Sequence, residues 1–170
     1  MPTVRRLNYS DLPAFRSLRR TALLESPTAF SSTTASEHAI SDEQMASRME
    51  GASFSAIWGA GNANGLLVGC AGLLHIPQRK LEHKGSLYAV YVAPCARGTG
   101  LGRRLLEAAI AYARGPAGLR QLQLGVTANN TAAIALYQKL GFDSYGCERD
   151  AIQVDGVFYD EILMQLRLHP

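Results

Sequence analysis

The stretch that decides the fold is Val90-Tyr91-Val92-Ala93-Pro94-Cys95-Ala96-Arg97-Gly98-Thr99-Gly100-Leu101-Gly102-Arg103. Its aromatic and β-branched start predicts a strand that ends before Pro94. After the glycines, Leu101, Leu105 and Tyr112 recur at helical spacing. Glycines lack Cβ and let a ligand approach the backbone, and the free N–H groups of a helix start favour an anion, usually phosphate. The stretch therefore predicts a strand, an anion-binding loop and a helix.

Other phosphate-binding loops fit this stretch less well. A Walker A loop ends in Gly-Lys-Ser/Thr, but the chain has Gly102-Arg103-Arg104. A dinucleotide-binding GxGxxG loop needs one more residue before its last glycine, and Ile152–Asp155 lie too far on to supply its acidic partner. A tight turn that binds nothing is the third alternative, which the arginines at 97 and 103 on either side of the glycines disfavour.

Two motifs resemble those of the GNAT N-acetyltransferases. Arg97-x-x-Gly100-x-Gly102 is similar to the pyrophosphate loop of that family, Gln/Arg-x-x-Gly-x-Gly/Ala. Downstream, Asn130-Thr-Ala-Ala133-Ile-Ala-Leu136-Tyr137-Gln-Lys139-Leu-Gly141-Phe142 resembles its Asn-x-x-Ala-x-x-Leu-Tyr-x-Lys-x-Gly-Phe block. The resemblance covers Ser86 to Leu168 well and the N-terminal half by element order. It implies one α/β (α+β) domain over residues 1–170, with a mixed, mostly antiparallel central sheet flanked by helices and splayed between the fourth and fifth strands.

The periodicity of apolar residues predicts the remaining elements. Strands are predicted at Thr3–Leu7, Ser53–Trp58, Leu66–Ile76, Ser86–Val92, Leu119–Thr127, Asp143–Val154 and Val157–Leu168. Helices are predicted at Leu12–Leu23, from a Ser41/Gln44 capping box to Met49, from Leu101 to Gly115-Pro116, and from an Asn130 cap to Leu140. Loops are predicted at Glu25–Ala35, Gly59–Gly65 and Pro77–Lys84.

The resemblance implies acetyl-CoA as co-substrate. Backbone groups of Val90–Val92 would pair with the pantetheine amides, N–H groups of Gly98–Arg103 would hold the pyrophosphate, and Asn130 would contact the pantetheine arm or only cap its helix. Tyr137 would lie beside the sulfur. The implied cofactor-binding residues are Val90, Tyr91, Val92, Arg97, Gly98, Thr99, Gly100, Leu101, Gly102, Arg103, Asn130 and Tyr137.

Proton transfer is the next requirement. A phenol of pKa about 10 lies within two units of a thiol of pKa about 8.5, so Tyr137 is a sensible general acid, or otherwise a core aromatic. Relatives often have a base Glu at one of two positions, which here are Ser86 and Gly125. Neither residue can act as a base. The alternatives are Glu82, His83, Asp160, Glu161 or a chain of water molecules, and the sequence does not choose among them.

The acceptor end has a weaker signal. The segment Asp155-Gly-Val-Phe-Tyr159-Asp160-Glu161 resembles one found in many small-molecule and peptide-amine acetyltransferases, and Ser26–Phe30 resembles a helix-linking loop of the same subgroup. Acidic groups hold an ammonium and aromatic rings stack on it. Alternating Tyr and Asp on an edge hairpin is the ordinary alternative. The candidate substrate-binding residues are Phe30, Tyr88, Tyr159, Asp160 and Glu161.

Composition restricts the classes of function. The chain has 170 residues, 47% hydrophobic, with 17 Lys+Arg against 14 Asp+Glu. A formal net charge of +3 is too small to favour a nucleic-acid partner. No apolar run is long enough for a membrane span, the N-terminus has no signal core, and the three cysteines have no metal-ligand spacing. We therefore expect a cytoplasmic monomer or homodimer without a metal.

The predicted function is acetyl-CoA-dependent transfer of an acetyl group to a primary amine of a small molecule, amino acid or peptide. A CoA-binding sensor without catalysis is one alternative, because the two usual Glu positions lack a carboxylate. A nucleotide- or NAD-binding protein that uses the same glycine loop is another.

Overall fold

The computed structural model describes residues 2–50 and 54–168. The strands are β1 (Val4–Arg6), β2 (Ala56–Gly61), β3 (Leu67–His75), β4 (Lys84–Val92), β5 (Gln121–Thr127), β6 (Asp143–Val154) and β7 (Val157–Arg167). The helices are α1 (Leu12–Glu25), α2 (Thr34–His38), α3 (Asp42–Glu50), α4 (Leu101–Arg114) and α5 (Thr131–Lys139). Single 3-10 turns occupy Tyr9–Asp11, Pro27–Ala29 and Pro94–Ala96.

The seven strands form one sheet in the order β1-β2-β3-β4-β5-β7-β6. Every neighbouring pair is antiparallel except β4 and β5. These two parallel strands pair only from Lys84–Gln121 to Ser86–Gln123 and then part. The predicted mixed sheet, splayed between its fourth and fifth strands, is therefore confirmed.

Each face of the sheet carries its own apolar cluster. One cluster joins α4 and α5 to the sheet through side chains such as Leu105, Leu122 and Met164, all fully buried. The other packs α1 and α3 on the opposite face through Phe15 and Met45. In β5 and β7 successive side chains alternate between these faces, so Leu122, Leu124 and Val126 point to α4 while Gly125 and Thr127 do not.

The second strand differs from its prediction. It runs from Ala56 to Gly61, not from Ser53 to Trp58, and it includes Gly59, which was placed in a loop. Ser53 lies outside the described residues. Gly59 pairs with Arg5 on one side and Cys70 on the other, and a Cβ there would lie 2.8 Å from Leu7 Cδ2. The glycine therefore allows the Leu7 side chain to pack on a central strand.

The predicted loop Glu25–Ala35 contains more structure than expected. Helix α1 extends to Glu25, and the short helix α2 begins at Thr34. The Thr33 hydroxyl accepts from the Ser36 N–H at 3.1 Å, and the Ser36 hydroxyl accepts from the Thr33 N–H at 2.9 Å. The predicted capping box before α3 is confirmed: Ser41 Oγ accepts from the Gln44 N–H, and Gln44 Oε1 accepts from the Ser41 N–H.

Three further predictions concern membranes, metals and cysteines. Within residues 2–50 and 54–168, no helix has the length and apolar character to cross a bilayer. The same residues contain no group of three or more His, Cys, Asp or Glu side chains arranged to hold a metal ion. Cys70 is buried and Cys95 and Cys147 are exposed, all as free thiols.

Candidate active site

A cavity of about 660 Å³ lies where β4 and β5 part. Its wall consists of the segment 25–30, the end of β4, the glycine loop, the first turn of α4 and the start of α5. The predicted site residues on the wall are Phe30, Val90, Tyr91, Val92, Arg97, Gly98, Gly100, Leu101, Gly102, Arg103 and Asn130. Thr99 is not on the wall, and its hydroxyl donates to the Ala96 carbonyl at 2.7 Å, within the turn. The fold thus brings most of the predicted cofactor-binding residues to one cavity.

The glycine loop has left-handed backbone angles that cost conformational energy for any residue with a side chain. Gly98 and Gly100 have φ of +75° and +76°, in the left-handed region, and nothing lies within 4 Å of a Cβ built on either. Gly100 is the N-cap of α4 and has no side chain to accept a hydrogen bond. The first bond of the helix runs from the Arg104 N–H to the Gly100 carbonyl. The N–H groups of Leu101–Arg103 therefore have no partner within the helix and suit an anion.

The arginines of the loop are paired with acidic or backbone groups. Arg97 donates to Glu25 Oε2 at 2.8 Å and to the Val92 carbonyl at 2.9 Å, and Arg103 donates to Glu107 at 2.7 Å. The Arg97 guanidinium lowers the pKa of the Glu25 carboxyl. Arg104, the next residue of α4, donates to the Pro2 carbonyl at 2.9 Å. The positive charge beside the glycines is therefore smaller than the sequence indicated.

The end of β4 offers free backbone groups. Ala89 has φ of 52°, and the pairing with β3 shifts register between Cys70 and Gly72, which forms a bulge there. The Cys70 thiol donates to the Ala89 carbonyl at 3.1 Å and holds the bulge from the buried side. On the opposite edge, β4 has no partner strand after Ser86 in the described sheet. Val90–Val92 can therefore pair with an extended ligand.

Asn130 and Tyr137 stand at the start and the end of α5. Asn130 Oδ1 accepts from the Ala133 N–H at 3.3 Å, so the predicted cap is present, and the residue also lines the cavity. Tyr137 is 6% exposed, and its ring lies 5.8 Å from that of Phe142 in an edge-to-face arrangement. Its neighbour Leu136 lines the cavity, whereas Tyr137 does not. Burial raises the pKa of Tyr137, which widens the gap to a thiol.

Two of the five candidate acceptor residues lie beneath the N-terminal helices. Phe30 lines the cavity, with its ring centroid 6.4 Å from that of Tyr91, and the Arg19 guanidinium lies 4.7 Å above it. Tyr88 has its ring over Gly72, and its hydroxyl is buried without a hydrogen-bond partner. Burial raises the pKa of Tyr88.

The other three acceptor candidates lie on β7. Tyr159 is partly buried. The Asp160 carboxylate accepts from Arg149 Nη1 and from the Asp150 N–H, both at 3.1 Å. Both donors belong to the part of β6 where its pairing with β7 shifts register. Glu161 covers Gly125, with Oε2 and Oε1 lying 2.5 and 2.8 Å from where a Cβ on that glycine would be. None of the three is on the cavity wall.

Sequence reasoning missed two residues that shape the cavity. Glu25 closes the wall through its bond to Arg97, and the Thr127 hydroxyl donates to the Thr28 carbonyl, which fixes the 25–30 segment to the end of β5. Thr127 is 1% exposed. The resemblance of Ser26–Phe30 to a helix-linking loop indicated that this segment matters, but not what holds it.

The geometry agrees with comparisons to known proteins. Residues 17–142 match the model of the acetyltransferase (GNAT) family. The chain is 35% identical over 94 residues to the N-alpha-acetyltransferase RimI of Mycobacterium tuberculosis, which is 55% of this chain and 56% of that protein. It is 48% identical over 58 residues to the mycothiol acetyltransferase of Salinispora tropica, covering 34% of this chain and 19% of that one. The chain thus spans about a fifth of the length of that relative.

A solved structure covers nearly the whole chain. The GNAT-family acetyltransferase of Streptococcus pneumoniae superposes with a TM-score of 0.85 at 28% identity, over 98% of this chain and 99% of that one. The predicted family and fold are confirmed, as is acetyl-CoA as the co-substrate that this family uses. The chain belongs to the GNAT acetyltransferase family.

Proposed function

We propose that this protein transfers the acetyl group of acetyl-CoA to the primary amine of a small molecule, amino acid or peptide. One observation carries the proposal: the cavity at the parting of β4 and β5 has unpaired α4 N–H groups on one wall and an unpaired strand edge on another. An anion-binding helix start beside a free strand edge suits a ligand with a phosphate end and an amide-bearing arm.

The residues present fit acetyl-CoA. The N–H groups of Gly98–Arg103 would hold its pyrophosphate, and the free edge at Val90–Val92 would pair with its pantetheine amides. A volume of about 660 Å³ lies within the usual range for small-molecule sites. When bound, acetyl-CoA supplies an acetyl group activated as a thioester. A backbone N–H of the β4 edge near Val90 would stabilise the charge that develops on the carbonyl oxygen.

Tyr137 is the proposed general acid. The phenol is protonated throughout the neutral range, although burial raises its pKa and so makes its proton harder to give to a thiolate. The preceding residue, Leu136, lines the cavity, whereas Tyr137 itself does not. A role in packing against Phe142 is the competing explanation, and the two differ in their effect on turnover.

The names of the relatives and proton chemistry both bear on the proposed class of acceptor. The name of the RimI relative supports an α-amino acceptor, and that of the mycothiol relative supports a small-molecule acceptor. Removing a proton at pH 7.4 costs under about 1 kcal/mol for an α-amino group of pKa about 8, against about 4 kcal/mol for an alkylamine. An α-amine therefore needs less help from a base, and both classes belong in the test.

The test is acetyl-CoA turnover with a panel of amino acids, alkylamines and short peptides, read as release of free thiol. We expect release with at least one amine. Thermal unfolding with acetyl-CoA, ATP and NAD separates the alternatives: acetyl-CoA at 100 times its Kd should add about 2.7 kcal/mol to the free energy of unfolding. Stabilisation without turnover would favour a CoA-binding sensor, and stabilisation by ATP or NAD alone would contradict the proposal.

A further inference from the structure

The carboxylate of Glu161 occupies the space that a side chain at position 125 would fill. Strands β5 and β7 pair with Thr127 opposite Glu161 and Gly125 opposite Leu163. From its position Glu161 leans over Gly125, where a Cβ would lie 2.5 Å from Oε2. Gly125 has no side chain, so the strand leaves room for this carboxylate.

That space lies at the gap between β4 and β5. The last pair that the two strands form is Ser86–Gln123. Two residues further along each strand, Tyr88 on β4 and Gly125 on β5 lie on the same face of the sheet, one on each side of the gap. Two residues further on, Thr127 binds Thr28, which is on the cavity wall. The Glu161 carboxylate therefore stands at the rim of the gap, on the face opposite α4.

We propose that Glu161 is the general base of the acetyl transfer, a role that rests on the function proposed above. The Glu161 carboxylate accepts a proton from the acceptor's ammonium group. The freed nitrogen pair forms the C–N bond to the thioester carbon, the C–S bond breaks, and the sulfur takes a proton from Tyr137 or water as CoA leaves. The nitrogen then gives up its second proton, which replaces the proton taken from Tyr137 or water and leaves a neutral amide. Glu161 then returns its proton to solvent.

The surroundings of Glu161 suit this role. Among the described residues no Lys, Arg or His forms an ion pair with it, whereas Asp160 next to it is bound to Arg149. Glu148 lies directly opposite on β6, and Tyr159 and, six residues away, Arg167 are the other titratable groups on this face of β7. The neighbouring segments 27–29 and 125–127 carry no titratable side chain, and across the gap β4 contributes Tyr88. Burial and the facing Glu148 raise the pKa of Glu161, which brings a carboxylate closer to neutral pH, where a base is effective.

The experiment begins with Glu161→Gln, which keeps the shape of the side chain and removes the base. With the best alkylamine of the panel, kcat should fall about 100-fold or more, and the acidic limb of the pH profile should disappear. With a weakly basic aromatic amine, which carries no proton at neutral pH, the loss should be under about tenfold. The Kd of acetyl-CoA should not change. An unaltered acidic limb in Glu161→Gln would overturn the inference and leave the proposed function standing.

Two further variants move the carboxylate without relying on Glu161→Gln. Gly125→Ala adds a Cβ that displaces the carboxylate, and it should lower kcat at least about tenfold. The control is Gly146→Ala on β6, where a Cβ would make ordinary contact with Leu163 at 3.5 Å. This control should leave kcat unchanged. An aspartate at position 125 would hold its oxygens about 2.4 Å from its own Cβ, close to the present Glu161 oxygens. The double variant Glu161→Ala with Gly125→Asp should therefore regain part of the activity lost in Glu161→Ala.

The outcomes distinguish the two proposals. If the wild type releases no thiol with any amine, the proposed function fails, and the role of Glu161 fails with it. If the wild type is active and either the acidic limb persists in Glu161→Gln or the double variant regains no activity, only the role of Glu161 is wrong.

Discussion

Arg97 Nη2 donates a hydrogen bond to Glu25 Oε2 at 2.8 Å, which joins the glycine loop after β4 to the last residue of α1. Both residues lie on the cavity wall, and the Arg97 guanidinium also lies 5.8 Å above the Tyr91 ring. A phosphate that enters this cavity meets a cation already paired with a carboxylate. The negative charge of Glu25 therefore opposes phosphate binding, while its hydrogen bond holds the Arg97 side chain in place.

The variant Glu25→Gln should bind acetyl-CoA more tightly, by up to about fivefold, because it removes a negative charge beside the phosphate site. Isothermal titration at low salt measures this, and the gain should shrink at high salt because screening weakens exposed charges. Asp42→Asn breaks a comparable exposed ion pair, to Arg16 at 2.7 Å, away from the cavity and serves as the control. Weaker binding by Glu25→Gln would mean that Glu25 chiefly positions Arg97.

A carboxylate on the glycine loop should abolish cofactor binding. Gly100→Asp puts a negative charge where phosphate should lie, and we expect the Kd of acetyl-CoA to rise roughly 100-fold or more. Gly118 has φ of +59°, and nothing lies within 4 Å of a Cβ there, so Gly118→Asp incurs similar backbone strain of about 1 kcal/mol. Its acetyl-CoA affinity should stay at the wild-type value. Equal affinities in the two variants would refute the loop assignment.

Tyr137→Phe separates proton donation from packing. If Tyr137 gives its proton to the sulfur, kcat should fall about 100-fold while the Kd of acetyl-CoA stays the same. Tyr112→Phe, on α4 with its ring 5.5 Å from that of Trp58, makes the same change at a distant aromatic pair and should leave kcat unchanged. Wild-type turnover by Tyr137→Phe would assign the ring to packing alone.

The raised pKa of Glu161 predicts how the stability depends on pH. A carboxyl whose folded pKa exceeds its unfolded value binds more protons in the native state between the two values. The native state therefore loses stability as the pH rises from about 4.5 through the raised pKa. Glu161→Gln lacks this loss, so its stability relative to the wild type should increase from pH 4 to pH 7 in urea unfolding. Glu107→Gln, on the exposed side of α4, controls for the removal of one negative charge, and an identical pH trend in both variants would count against a raised pKa at Glu161.

Much of the chain was predictable because its signals are local. The Ser41 and Gln44 capping box, the Asn130 cap and the glycines at 98 and 100 each act through hydrogen bonds or backbone angles within four residues. Helix α2 escaped prediction because Thr33 is capped by Ser36, which lacks the Glu or Gln of the usual capping box. The strand β2 was misplaced because Gly59 has low strand propensity, and pairing on both sides overrides it.

By itself the sequence determined the order of elements, the glycine loop and the family motifs, because each depends on short-range spacing. Only the tertiary structure decided which carboxylates face which partners. Asp160 and Glu161 are neighbours in sequence, yet one binds the Arg149 side chain and the other stands free over Gly125. Alternation along β7 sends them to opposite faces, and the pairing of β7 with β5 and β6 sets what each face meets. Such contacts depend on strand register between distant segments, which no local pattern encodes.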